Sequence, residues 1–178
     1  DLLTFGYSLP SVVAGLMGRY SVPGQGPVLD AGCGTGITGQ VLSVLGYRPL
    51  IGIDLSPGML QVAEGKGSYG QLRQMELGQP LDFLSDEFDA GISTGVFVAG
   101  HAPPSSFDEL VRITRPGGHI IFSIRPDLLV SGGFKEKGEQ LESALRWRLV
   151  ETLGPFHSTP YNAAEAQAVN LVFVYTVL

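Results

Sequence analysis

The sequence predicts an α/β fold in which helices cover both faces of a mostly parallel sheet. Three observations carry that prediction. Short apolar runs of strand length alternate five times with segments of helical periodicity, the pattern of successive βαβ units. Apolar residues make up 44% of the chain and charged residues only 16%, against roughly 25% charged in an average domain; together with 25 glycines, this suits a buried sheet reached by many tight turns. The last two strand-like runs follow one another with no clear helix between them, which makes them antiparallel neighbours at one edge. At 178 residues the chain has the length of one domain rather than two.

The elements follow in order. "PSVVAGLMGRY" (Pro10 to Tyr20) reads as a helix with Pro in its first turn, where a missing N–H costs nothing. "PVLD" is a short buried strand, and "TGQVLSVLG" a helix closed by Gly46. "PLIGID" is a second apolar strand. "SPGMLQVAEGKG" begins a helix with Ser56 as N-cap and Pro57 at the first helical position. "QLRQMEL" alternates apolar and polar residues, the mark of a half-exposed strand toward one edge. "FDAGIST" is a central strand. "PSSFDELVRITR" is a helix capped by Ser105 or Ser106, with acids in its first turn. "RPGG" is a turn leading into the apolar strand "HIIFSI", and "GFKEKGEQLESALRW" is a polar surface helix. "WRLVETLG" and "NLVFVYTVL" close the chain as strands. The loop from Gly154 to Ala168 between them is long for a bare connection, which points to a functional or mobile segment.

Composition narrows the function. The net charge of −6 and the scattered 11 basic residues argue against a nucleic-acid partner, which needs clustered Lys and Arg. "RWR" at Arg146 to Arg148 reads as a solvated strand edge. Cys and His show no metal-ligand spacing, so no metal site is expected. The single cysteine, Cys33, excludes an internal disulfide and fits a reducing compartment, so a soluble, cytoplasmic protein is expected. No apolar run approaches the ~20 residues of a membrane span. The chain opens on Asp1 with no signal-like segment, as a piece of something longer would.

The motif with chemistry in it is "VLDAGCGTGITG", Val28 to Gly39. Within it Gly34, Gly36 and Gly39 satisfy the dinucleotide pattern G-x-G-x-x-G, a weak signal alone. Glycines between a strand and a helix let backbone approach a ligand and aim N-terminal amides at it. Asp30 discriminates between ligands. A carboxylate directly ahead of the loop would repel a pyrophosphate by on the order of 4 kcal/mol at ~4 Å and an effective dielectric near 20. The same carboxylate would attract an ammonium or a sulfonium, and S-adenosylmethionine carries both. Asp54 ends the second strand about 20 residues past the glycines, where an acid can accept both ribose hydroxyls of a nucleoside. As a partly exposed strand-end carboxylate it is expected to contribute little to the core, so that its loss should weaken cofactor binding without unfolding the protein.

"LDAGCGTG", "GIDLSPGML", "FDAGIST" and "ELVRITRPGGHIIFSI" together resemble the successive motifs of class I S-adenosylmethionine-dependent methyltransferases, in order and over roughly Asp1 to Ile124. Within that family the chain is most similar to the small methyltransferase-like proteins of the Williams–Beuren region type. The resemblance implies a Rossmann-like three-layer sandwich with a seven-stranded sheet in the order 3-2-1-4-5-7-6, strand 7 antiparallel. It implies that Asp30, Gly32, Cys33, Gly34 and Gly36 surround the methionine part of the cofactor, Cys33 through its backbone. It also implies that Asp54 binds the ribose, that Leu55 and Met59 pack on the adenine, and that Glu76 and Leu77 contact the adenine edge. Ser93 and Thr94 end strand four beside the methyl group. The family's upstream helix, often with a Tyr-Asp pair, is expected to be largely missing, which would leave the site more open.

"STGVFVAG" after strand four lacks the Asn/Asp-Pro-Pro-aromatic motif of methyltransferases that act on amino groups of nucleic-acid bases. The implied reaction is methyl transfer from S-adenosylmethionine, leaving S-adenosylhomocysteine, to a small-molecule or protein acceptor. The acceptor is expected above strands four and five, with Thr94, Phe97 and Tyr161 facing it and His101 as a candidate base. His157 is a weaker candidate base, and His119 reads as structural. Two rivals stay open: a non-catalytic cofactor-binding module, and an NAD(P)-dependent oxidoreductase, against which Asp30 speaks. The identity of the acceptor and the oligomeric state are not encoded in any motif.

Overall fold

Seven strands form one sheet in the order β3-β2-β1-β4-β5-β7-β6 in the computed structural model, which describes residues 6–162 and 169–178. The strands are β1 (Val28–Ala31), β2 (Leu50–Asp54), β3 (Gln71–Gln74), β4 (Phe88–Phe97), β5 (Thr114–Ile124), β6 (Trp147–Phe156) and β7 (Asn170–Val177). β1 to β5 pair in parallel, while β7 runs antiparallel to both β5 and β6. The sheet is the one implied by the motifs. Between β1 and β4 the chain direction of the sheet order reverses, and open α/β sheets carry their ligand crevice at such a switch point, outside the carboxyl ends of the strands.

Helices α1 (Leu9–Tyr20), α2 (Ile37–Val44), α3 (Pro57–Glu64), α4 (Ser106–Ile113), α5 (Pro126–Ser131) and α6 (Phe134–Ser143) complete the layers. One core joins α1 and α2 to the sheet through Leu9, Val13, Met17, Leu42 and Tyr47. The other joins α4 and α6 to the opposite face through Phe107, Leu110, Val111, Phe134 and Leu141. In that second core Trp147 stacks on Tyr175 with ring centroids 4.0 Å apart and donates Nε1–H to the Gly138 carbonyl at 3.1 Å. Gly138 is therefore buried on the inner face of α6, and only the outer face of that helix is polar.

Several expectations about elements need correction. Pro126–Ser131 forms a helix that the sequence reading passed over. The "QLRQMEL" strand stops at Gln74; Met75 still donates its N–H to the Asp54 carbonyl at 3.1 Å, and Glu76 and Leu77 lie beyond the strand, so only its first half lies on the edge. Helix α4 ends at Ile113, and Thr114 to Gly118 belong to an irregular start of β5, where the register against β4 shifts. Neither serine caps α4: Ser105 already has helical dihedrals, so its hydroxyl does not arch back, and the Ser106 hydroxyl is buried without a partner among the described residues. By contrast Ser56 accepts from the Met59 N–H at 3.3 Å, as its position predicts. Among the described residues no helix is long and apolar enough to cross a membrane.

Candidate functional site

A cleft of about 760 Å³ opens above the carboxyl ends of the parallel strands. Its floor is the β1–α2 loop. Gly32 and Cys33 donate their backbone N–H groups to the Ile53 carbonyl at 2.8 and 2.9 Å, which ties the loop to β2. Asp54 completes the tie: Oδ2 accepts from the Gly34 N–H and Oδ1 from the Ser56 N–H, each at 2.9 Å. One carboxylate thus clamps the glycine loop to the loop before α3. These two bonds give Asp54 a structural role that its strand-end position alone did not suggest. A carboxylate has about four lone-pair sites, so two stay available to a ligand.

Gly34 has φ +53° and a side chain there would meet nothing within 4 Å, so its backbone faces open cleft. Leu55 and Met59, both exposed, form an apolar shelf at the mouth beside Asp54. Glu76 and Leu77 line the same end, with Met75 next to them. Gly32 and Cys33 line the floor. The Cys33 thiol is pushed up to about 12, by burial first and then by the negative charges of Asp30 and Asp54, so it stays protonated and unreactive.

Other sequence candidates lie elsewhere. Asp30 is wholly buried behind the loop and does not line the cleft. Burial pushes its carboxyl up to about 7, the Asp54 charge adds to this, and a hydrogen bond from Tyr69 opposes it. Gly36, with φ +81°, is the N-cap position of α2 and backs onto Tyr69 and Ala63. Ser93 is buried and donates its hydroxyl to the Ala31 carbonyl at 2.9 Å, which spends its hydrogen bond on the sheet. Tyr161 is 77% exposed, lies outside the cleft and packs its ring against Gly6.

The opposite half of the cleft rises over β4 and β5. Thr94 lines it and shares a hydrogen bond of 3.1 Å with Thr38 at the start of α2. Phe97 borders it from below but is fully buried, edge-on to Phe107 and Phe122. His101 stands exposed at the rim, with Nδ1 3.3 Å from the Ala99 carbonyl oxygen. His157 is not among the cleft residues, though Ser158 and Thr159 of the same loop are, and the Ala163–Ala168 part of that loop lies outside the described residues.

Sequence reasoning passed over Tyr7. It lines the cleft and is mostly buried, and it shares a hydrogen bond with Thr94; burial raises its hydroxyl pKa, the Thr94 bond opposes this, and the Asp30 charge adds to it. The segment is held there because Ser8 donates both its N–H, at 2.9 Å, and its hydroxyl, at 3.3 Å, to the Ser158 carbonyl. No spacing rule could have paired residues 150 apart. Ser123, whose hydroxyl accepts from the Gly95 N–H at 2.9 Å, and Arg125, forked by Asp127 at 3.0 Å, also line this half. Both sit at the end of β5, where the carboxyl-end rule could have flagged them.

Comparison with known proteins agrees with this geometry. The family model described as "Methyltransferase domain" matches residues 29–122, from β1 to β5. The chain is similar to methyltransferase-like protein 27 of Homo sapiens, 32% identical over 83% of this chain and 62% of that protein. It is also similar to an 18S rRNA (guanine-N(7))-methyltransferase of Bos taurus, 36% identical over 65% of this chain and 41% of that protein. The chain therefore spans less than two thirds of the length of either relative. Among solved structures, a TehB-like SAM-dependent methyltransferase from Corynebacterium glutamicum superposes with a TM-score of 0.70 at 23% identity, over 93% of this chain and 86% of that one. That likeness is one of fold.

Proposed function

Since the chain belongs to the class I S-adenosylmethionine-dependent methyltransferases, we propose that it binds S-adenosylmethionine in the cleft above β1 and β2 and transfers the methyl group to an acceptor held above β4 and β5. The observation that carries this reading is Asp54, which clamps the glycine loop and keeps acceptor capacity toward the cleft. The residues fit the cofactor. An open backbone at Gly34 suits a polar amino-acid tail, the Asp54 carboxylate suits a ribose diol, and the Leu55–Met59 shelf suits a flat adenine. Behind the loop, the buried Asp30 Oδ1 has no hydrogen-bond partner among the described residues, and a negative charge there suits a cationic ligand end above the loop.

S-Adenosylmethionine supplies an already activated methyl carbon, so this chain's residues have only to bind, orient and exclude water. Gly32, Cys33 and Gly34 hold the methionine end through backbone, Asp54 the ribose, and Leu55, Met59, Glu76 and Leu77 the adenine. Thr94 and Tyr7 border the junction of the two halves and orient the acceptor. His101 takes the acceptor's proton where the acceptor must lose one.

The acceptor is a small molecule or a protein side chain. The cleft residues include one arginine, Arg125, already forked by Asp127, and the chain carries a net charge of −6; a phosphate backbone would find little affinity there. The rRNA-modifying relative favours the other reading, so binding of RNA at physiological ionic strength is measured alongside. The lone cysteine supports a reducing, cytoplasmic location. Transfer of radiolabelled methyl from S-adenosylmethionine into fractions of a cell extract tests the activity. Label in a small-molecule or protein fraction, reduced in His101→Ala, is expected. Cofactor binding with no transfer to any fraction would make the chain a binding module instead.

A further inference from the structure

Behind the floor of the cleft, the ring of Tyr69 occupies a slot kept open by glycines. A Cβ at Gly39 would run into the ring and its hydroxyl, and a Cβ at Gly36 or Gly52 would come within 3.0 Å of it. Two glycines of the G-x-G-x-x-G pattern thus make room for a side chain, not for a ligand. Through the slot the Tyr69 hydroxyl donates to Asp30 Oδ2 at 2.6 Å. Asp30 is fully buried at the end of β1, and its Oδ1 has no hydrogen-bond partner among the described residues. Buried polar atoms are nearly always paired, so such an orphan marks a function or a missing partner.

We propose that Tyr69 is a positioning residue for cofactor binding: its bond to Oδ2 orients the Asp30 carboxylate beneath the glycine loop and favours its charged form, so that the charge acts through the loop on the ammonium end of the ligand. The inference rests on the S-adenosylmethionine reading above. Among the described residues, four titratable groups face Asp30. Tyr69 touches it, and Asp54, Cys33 and Tyr7 interact with it through charge. Cys33 and Tyr7 remain neutral near pH 7 because burial raises both, and Asp54 disfavours ionisation of Asp30. The Tyr69 hydrogen bond is the interaction that favours the charged carboxylate against burial.

Tyr69→Phe removes the hydroxyl and keeps the ring in its slot. Calorimetric titration from pH 6 to 8 uses two probes: S-adenosylhomocysteine, which has the ammonium, and 5′-methylthioadenosine, which lacks it. With Asp30 titrating at about 7, wild-type affinity for S-adenosylhomocysteine falls about tenfold from pH 8 to pH 6, since only the ionised fraction is competent. In Tyr69→Phe the midpoint moves up, so binding at pH 7 is roughly tenfold weaker, while 5′-methylthioadenosine binds as in the wild type. Asp30→Asn, the second variant, binds weakly with no such pH dependence. A Tyr69→Phe profile that superposes on the wild type would overturn the inference, as would a steep profile in Asp30→Asn. Failure of the wild type to bind either probe would instead overturn the cofactor reading, and the inference with it.

Discussion

Asp54→Ala removes the acceptor from two backbone amides at once. Oδ2 is bonded to Gly34 N–H and Oδ1 to Ser56 N–H, each at 2.9 Å. Hydrogen bonds to a charged group contribute ~1.5–3 kcal/mol each. Asp54 is only half-buried, so water recovers part of that loss and a discount of about one half is due. The expected cost is therefore about 1.5–3 kcal/mol. For a chain of this size each kcal/mol moves the melting temperature by about 2–4 °C, so the variant should melt roughly 3–12 °C below the wild type. The site loses its ribose acceptor at the same time, and affinity for S-adenosylhomocysteine should fall roughly ten- to a hundredfold. Thermal unfolding with and without ligand, and calorimetry well below the melting point, read the two effects separately. Asp54→Asn keeps one oxygen but turns an NH₂ toward an N–H, so it should fall between the two. A folded Asp54→Ala protein that melts with the wild type would refute the clamp. One that binds S-adenosylhomocysteine unchanged would refute the ribose role.

Gly39→Ala should destabilise the protein by roughly 1–3 kcal/mol through overpacking against the Tyr69 ring; chemical denaturation checks this, and Tyr69→Ala in the same background should relieve part of the loss. Trp147→Ala should cost about 3–5 kcal/mol, because it empties the stack against Tyr175 and frees the Gly138 carbonyl; a change under about 1 kcal/mol in urea unfolding would contradict the packing. Burial raises the Asp30 carboxyl from 3.8 to about 7, so the ligand-free fold binds a proton that the unfolded chain has released. Stability contributed by protonated Asp30 is therefore full below about pH 4 and is lost as pH rises through about 7, on the order of 4 kcal/mol in all. Asp30→Asn should accordingly raise the ligand-free melting temperature at pH 8 relative to wild type more than at pH 5.

The sheet order was legible because alternation of apolar strands with helical periodicity admits few topologies, and the "LDAGCGTG" and "GIDLSPGML" segments anchor two of its strand ends. What escaped depends on distant partners. Ser105 sits where a cap belongs, but the turn from Pro103 already winds helically, so local rules misread it. Gly36 and Gly39 fit a ligand motif in one dimension, yet in space they accommodate Tyr69, about 30 residues on, which no local pattern links to them. Tyr7 reaches the cleft only because Ser8 is bound to the Ser158 carbonyl. Asp54 was legible as a strand-end acid, but its role as a clamp needed the loop geometry.

Calorimetric titration of the wild-type protein with S-adenosylhomocysteine and, separately, with NAD decides which ligand the cleft takes. The cleft combines a buried carboxylate behind the glycine loop with the Asp54 carboxylate beside it, a field that favours a cationic amino-acid tail and opposes a pyrophosphate. Saturable one-to-one binding of S-adenosylhomocysteine, weakened roughly ten- to a hundredfold in Asp54→Ala, is expected, with no measurable heat from NAD. NAD binding as tightly as S-adenosylhomocysteine would contradict the cofactor reading.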